Sequence, residues 1–229
     1  MAQGIVSYDA APGTRAKSLQ ALVDPKNANA LCLGFDKASD YDALRVVETA
    51  TPTAAAAAGG SAHTVTPGAS KVRYLFANFE GVVGQNDMLV EVKVKRADAD
   101  ASNSGTFVGF AESTTAGDIV STTGTLRTAA SGKDMIGWLN LTATANLVYY
   151  ASNDATEEID EVDSTYDLAD DTYVTLGVEI RGHRVLFFRD GELVKEYAET
   201  ITSGATVVPV LAMGGASAAT VERFIAGID

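Results

Sequence analysis

The chain of 229 residues contains one cysteine, Cys32. An intramolecular disulfide and a cysteine-based zinc site are therefore excluded. Cys32 stands in Leu31-Cys32-Leu33, where it reads as a small buried hydrophobe in a chain suited to a reducing cytosol. Histidine is nearly absent too: His63 and His183 are the only two. Each lies in a turn-like context, Ser61-Ala62-His63 and Gly182-His183, so both read as surface turn residues and no Ser-His-Asp arrangement is expected. No apolar run approaches the roughly 18 residues that span a bilayer. The start Met1-Ala2-Gln3-Gly4 lacks the basic and then apolar pattern of a secretory signal. Cations are scarce, with 17 Lys and Arg against 30 Asp and Glu and a net charge of −13. Such a chain repels phosphate backbones and anionic membranes, which argues against nucleic-acid or membrane partners. There is no G-x-S-x-G, Walker A or H-E-x-x-H motif.

What is present points to strands. Hydrophobic residues make up 46% of the chain and glycine occurs 21 times, a mixture that suits many short strands joined by small-residue turns. The clearest signal is at 172–197. Val174, Leu176, Val178 and Ile180 alternate with Thr175, Gly177, Glu179 and Arg181. The chain then turns at Gly182-His183, runs through Val185–Phe188, turns again at Asp190-Gly191 and returns through Leu193–Tyr197. This predicts a three-strand meander with a type I′ second turn. Met88–Lys95 also alternates, with Val90, Val92 and Val94 inward and Glu91, Lys93 and Lys95 on a wet face. Further strands are expected at Leu44–Thr49, Val72–Phe79, Thr106–Ala111, Met135–Asn140, Leu147–Tyr150, Val207–Met213 and Val221–Ile225. Ala54–Ala58, between Pro52 and Gly59-Gly60, reads as a surface loop. Residues 1–40, with Pro12-Gly13, a weak helical pattern at Thr14–Leu22 and Asp24-Pro25, read as an extended N-terminal arm. Residues 41–229 read as one domain. The fold expected is all-β, an antiparallel two-sheet jelly-roll sandwich.

The stretches Tyr173–Ile180, Val185–Val194, Pro209–Met213 and Val221–Ile225 follow the order of the closing strands of the concanavalin A-like lectin and glucanase jelly roll, and resemble it over about a quarter of the chain. The resemblance implies architecture and not activity. In its small-residue-rich, acidic, nearly cysteine-free style, the chain also resembles virion structural proteins of tailed bacteriophages, above all capsid decoration (cement) proteins. That second resemblance implies a non-enzymatic protein that contacts a major capsid protein or other virion proteins. It implies self-association, a trimer for example, and a place in the virion after synthesis in the host cytoplasm. The alternative on the same fold is a lectin-like carbohydrate-binding module with a glycan partner.

Three constellations bear on chemistry. The run from Asp154 to Asp171 holds nine carboxylates and reads as a solvated loop or edge. Within it, Glu158, Asp160 and Asp163 resemble the E-x-D-x-x-E of laminarinase-like retaining glucanases. That pattern needs a strand, so that the acids share one face at the short separation retention requires. A hydrolase is thus the third reading, and it demands a folded strand at 157–163. The same run offers hard oxygen ligands for Ca²⁺, with Asp160, Asp163 and Asp167 as the candidates. No other cofactor is expected. Trp138, Tyr149, Tyr150, Tyr166 and Tyr173 are the candidate sugar platforms, with core packing the commoner use of such residues. The sequon Asn140-Leu141-Thr142 carries no meaning without a secretory route.

Overall fold

A computed structural model of the chain describes residues 30–34, 44–48, 53–56, 63–66, 72–101, 104–112, 119–120, 134–141, 143–153, 156–197, 204–215 and 217–228. Among them are sixteen strands and no helix. The strands are β1 (Ala30–Leu33), β2 (Arg45–Glu48), β3 (Thr53–Ala56), β4 (His63–Thr66), β5 (Val72–Phe76), β6 (Gly81–Val82), β7 (Met88–Arg96) and β8 (Gly105–Ala111), followed by β9 (Met135–Asn140), β10 (Asn146–Asn153), β11 (Thr156–Asp167), β12 (Val174–Arg181), β13 (Arg184–Arg189), β14 (Glu192–Tyr197), β15 (Thr206–Gly214) and β16 (Ala219–Ile228). They form two antiparallel sheets. One runs β14-β13-β12-β7-β16-β4-β3, with β1 also on β16. The other runs β11-β10-β9-β8-β15-β5-β2, with β6 also on β15. The fold is the all-β two-sheet sandwich.

Strand alternation explains the core. Val90, Val92 and Val94 of β7, Leu176, Val178 and Ile180 of β12, and Phe187 of β13 pack against Val108 and Phe110 of β8, Trp138 of β9 and Tyr149 of β10. These positions face each other between the sheets. Trp138 is fully buried, meets Tyr149 and Phe187 ring to ring, and donates its indole N–H to Gly177 O at 3.0 Å. That bond ties the two sheets together and satisfies the indole. The intervening residues of the β8 sheet (Phe107, Met135, Leu139, Tyr150, Val208, Val210) form a second buried cluster with Ile119 and Val120. It lies on that sheet's outer face, so this sheet is apolar on both sides. Gly109 and Gly137 face each other across β8 and β9. A methyl group on Gly109 would collide with the Ile136 carbonyl.

The meander stands as expected. Asp190 and Gly191 have φ of 50° and 85°, as a type I′ turn requires. Gly182, with φ 58°, opens the first turn and His183 is exposed there.

Five expectations are corrected. Of the two readings of the acidic segment, loop or edge, the loop is corrected: Thr156–Asp167 is a strand paired with β10, at the edge of its sheet among the described residues. Its backbone bonds are satisfied by β10 whatever the side-chain charge. The alanine run is not a surface loop, since Thr53–Ala56 pairs with β4. His63 opens β4 instead of sitting in a turn. Cys32 is exposed, on β1 opposite Ile225; partial burial pushes its thiol pKa up, against the pull of Arg223. Glu91 is not wet at all, being 2% exposed. Of the segment 1–40, Ala30–Leu33 pairs with β16; residues 1–29, with the turns and weak helical pattern expected there, lie outside the described residues.

Candidate functional site

At one end of the sandwich four connections converge: β7 to β8, β9 to β10, β11 to β12 and β15 to β16. Backbone bonds lace them together. Asp171 N–H donates to Arg96 O (2.7 Å), Ala97 N–H to Ala218 O (2.9 Å), Leu168 N–H to Ala145 O (2.8 Å) and Ala143 N–H to Ala101 O (3.4 Å). Ser217 reinforces them: its hydroxyl donates to Asp98 O (2.7 Å) and its N–H to the Ser104 hydroxyl (3.2 Å). The loops are thus held on a rigid frame, where binding residues commonly sit.

Two loops bring three carboxylates together. Asp98 and Asp100 follow β7, and Asp170 follows β11; their oxygens lie within 4.8 Å of one another and all three side chains are exposed. Asp170 also accepts the Ala99 N–H at 2.8 Å, which fixes its approach. Crowding pushes the Asp98 carboxyl above its ordinary pKa: desolvation is the main cause, followed by its hydrogen bond with Asp100 and the charges of Asp100 and Asp170.

Tyr173 adjoins this acidic end in the chain. Val174 faces the core, so the half-buried Tyr173 ring stands at the outer face of the β7 sheet. Lys93 and Lys95 of β7 each hold an ammonium 5.2 Å from its centroid. Lys95 Nζ bonds Asp171 at 2.5 Å, which raises its pKa, and Lys93 Nζ bonds Glu222 at 2.7 Å. Burial raises the Tyr173 phenol pKa, with Lys95 opposing, so the hydroxyl stays a donor at neutral pH. The result is a half-buried ring with two ammonium groups over it, each paired with a carboxylate, on a strand that follows the loop carrying Asp170. It offers a stacking surface together with hydrogen-bond donors and acceptors.

The candidate platforms separate cleanly. Trp138, Tyr149 and Tyr150 are buried. Tyr166 is half-buried and packs at the sandwich flank, under the Arg189 guanidinium 4.8 Å from its ring. Burial, with Tyr166 and Tyr197 nearby, pushes the Tyr149 phenol up to about 12. Only Tyr173 of the five lies beside the acidic loops.

The glucanase-like trio fares differently. The strand it demands exists, but the register with β10 is irregular. Ser152 pairs with Glu157 and Ala151 with Ile159, which leaves Glu158 as a bulge. Another irregularity follows between the pairs Ala151↔Ile159 and Tyr149↔Val162. The uninterrupted alternation that would set residues 158 and 160 on one face is broken. Among the described residues β11 is also an edge strand. Of the calcium candidates, Asp167 is exposed at the end of β11 and pairs with Asn146, while residue 163 pairs with Val148. The side chains of Asp160 and Asp163 lie outside the described set. Among the described residues the carboxylates that the fold groups are Asp98, Asp100 and Asp170; the sequence places Asp170 in the acidic run and does not single out Asp98 or Asp100. The only local signal was Asp98-x-Asp100.

No known protein-family model matches the sequence, and no curated protein matches it. Solved structures do. The carbohydrate recognition domain of Emp47p superposes with a TM-score of 0.58 at 11% identity, covering 87% of this chain and 94% of that one. A protein of unknown function with a galectin-like fold from Bacillus subtilis gives 0.57 at 10% identity, covering 88% and 96%. A β-glucanase from Bacillus licheniformis gives 0.56 at 12% identity, covering 87% and 98%. The chain therefore has the lectin and glucanase type of jelly roll, a fold shared by binding proteins and enzymes alike.

Proposed function

We propose that the protein is a non-catalytic, lectin-like module that binds a neutral glycan at the loop end, through Tyr173 and the carboxylates Asp98, Asp100 and Asp170. The observation that carries this reading is the half-buried Tyr173 ring at a sheet face, with Lys93 and Lys95 over it and Asp171 paired to Lys95, next in the chain to the loop that brings Asp170 to Asp98 and Asp100. A sugar ring presents C–H groups to an aromatic face and hydroxyls to carboxylates and ammonium groups. The net charge of −13 disfavours anionic glycans at long range. The carbohydrate recognition domain among the fold neighbours supports the reading.

Isothermal titration with a panel of neutral gluco-, manno- and galacto-oligosaccharides tests it. Tyr173→Ala is expected to weaken binding at least about tenfold, or about 1.4 kcal/mol, with the melting temperature little changed. Absence of binding across the panel would overturn the reading. The hydrolase reading retains its strand but lacks the unbroken alternation; release of reducing ends from β-glucan, abolished in Glu158→Gln, would restore it. The virion role expected from sequence style draws no support from the fold or its neighbours.

A further inference from the structure

Beneath the loop end, between the sheets, lie polar atoms with no hydrogen-bond partner among the described residues. Arg96 is 2% exposed, and Nη2 donates to Gly214 O at 3.1 Å. Its Nε and Nη1 have no partner, and neither do Thr106 Oγ1 and Asn140 Oδ1, both on buried residues. Strand alternation sets all three side chains inward. Arg96 follows Val92 and Val94 in parity, Thr106 matches Val108 and Phe110, and Asn140 matches Ile136 and Trp138, all of the inter-sheet core. Register brings them to the same end: Thr106 pairs with Asn140 and with Met213, and Gly105 pairs with Gly214, whose carbonyl Arg96 holds.

The chemistry of these atoms selects a guest. Asn140 Nδ2 donates to Thr144 O (2.7 Å) and Asn146 O (3.3 Å), so the amide orientation is fixed and Oδ1 is an acceptor. Arg96 supplies only donors. An anion would suit the guanidinium and be repelled by Oδ1; a cation would do the reverse. A molecule that both accepts and donates suits both, and water is the common such guest among buried polar groups that need two to four partners. We infer that Arg96, Thr106 and Asn140 share bound water, which forms the polar floor of the loop end. Burial lowers the Arg96 pKa to about 10, with Asp98 opposing, so the group remains a cation at neutral pH and needs such solvation.

A crystal structure of the full chain grown from sodium bromide tests this directly. Ordered water bonded to Arg96 and to Asn140 Oδ1, with no anomalous peak, is expected. A bromide peak, or a direct Arg96–Asn140 bond with nothing between, would overturn the inference. In solution Thr106→Val gives a test by sign, since it removes one oxygen at constant shape. It is expected to lower the urea midpoint by stranding a water molecule. A raised or unchanged midpoint would show that the hydroxyl was unsolvated and sink the proposal.

Discussion

The outer faces of the two sheets are made differently. On the β8 sheet, Phe107, Leu139, Tyr150 and Val210 are buried in a second apolar cluster. On the β7 sheet, Leu89, Leu186, Phe188 and Ile225 are buried, but so are Glu91 and Glu179. Arg223 Nη2 lies 2.8 Å from Glu91 Oε1, and Arg181 Nη2 lies 2.7 Å from Glu179 Oε1. Farther along the same face the burial ends, and Lys93, Lys95, Thr175 and Tyr173 reach solvent. A sealed apolar face adds stability and leaves no room for a polar ligand. A face that changes from apolar to charged along its strands can do both tasks, which is why the proposed site lies there.

The sharpest way to break this comparison is to treat the sealed outer face as core. Phe107→Ala is expected to cost about 3–5 kcal/mol, as much as Trp138→Ala between the sheets, measured by urea unfolding. A cost below about 1 kcal/mol would mean that this outer face is not part of the core. A smaller effect tests the charged face. Glu179 is 1% exposed and its Oε2 has no partner among the described residues, so Arg181→Met should cost about 1–3 kcal/mol by leaving a buried carboxylate unpaired. The double variant with Glu179→Leu should recover much of that loss. Lys93→Ala removes a partly exposed pair with Glu222 and the ammonium over the Tyr173 ring, and should cost about 0.5–1 kcal/mol.

The smallest expected effect is a pH dependence at the acidic trio. Asp98 titrates above its ordinary value in the folded protein, so its stability contribution is present when it is protonated and is lost as pH rises through the folded pKa. Asp98→Asn should therefore melt higher than the parent at about pH 7 and match it at about pH 3. Equal melting temperatures at both would mean that the three carboxylates do not strain one another.

How legible each part was followed from how local its cause is. The meander was readable because alternation and an Asp190-Gly191 turn are properties of neighbouring residues. Strand β9 was readable from its own apolar run. Strand β11 was readable only as one of two alternatives, loop or edge, because its carboxylates mark the segment as wet while β10 alone decides that its backbone is paired. Glu91 looked like an exposed alternate position of β7. It is buried beside an arginine 132 residues away in the chain. Of the five candidate platforms, composition could not separate Trp138 from Tyr173, because both occupy strand-like contexts and only the sheet partner decides which face is covered.

By itself the sequence determined the all-β class, the order of the closing strands and the exclusion of a disulfide within these residues, since periodicity, turn residues and composition act over a few positions. Only the tertiary structure decided that Asp98, Asp100 and Asp170 converge, that Arg96 lies beneath them and that Tyr173 stays accessible. Each of these depends on loops from separate strands meeting at one end of the sandwich, and burial and charge proximity arise only when those strands are paired.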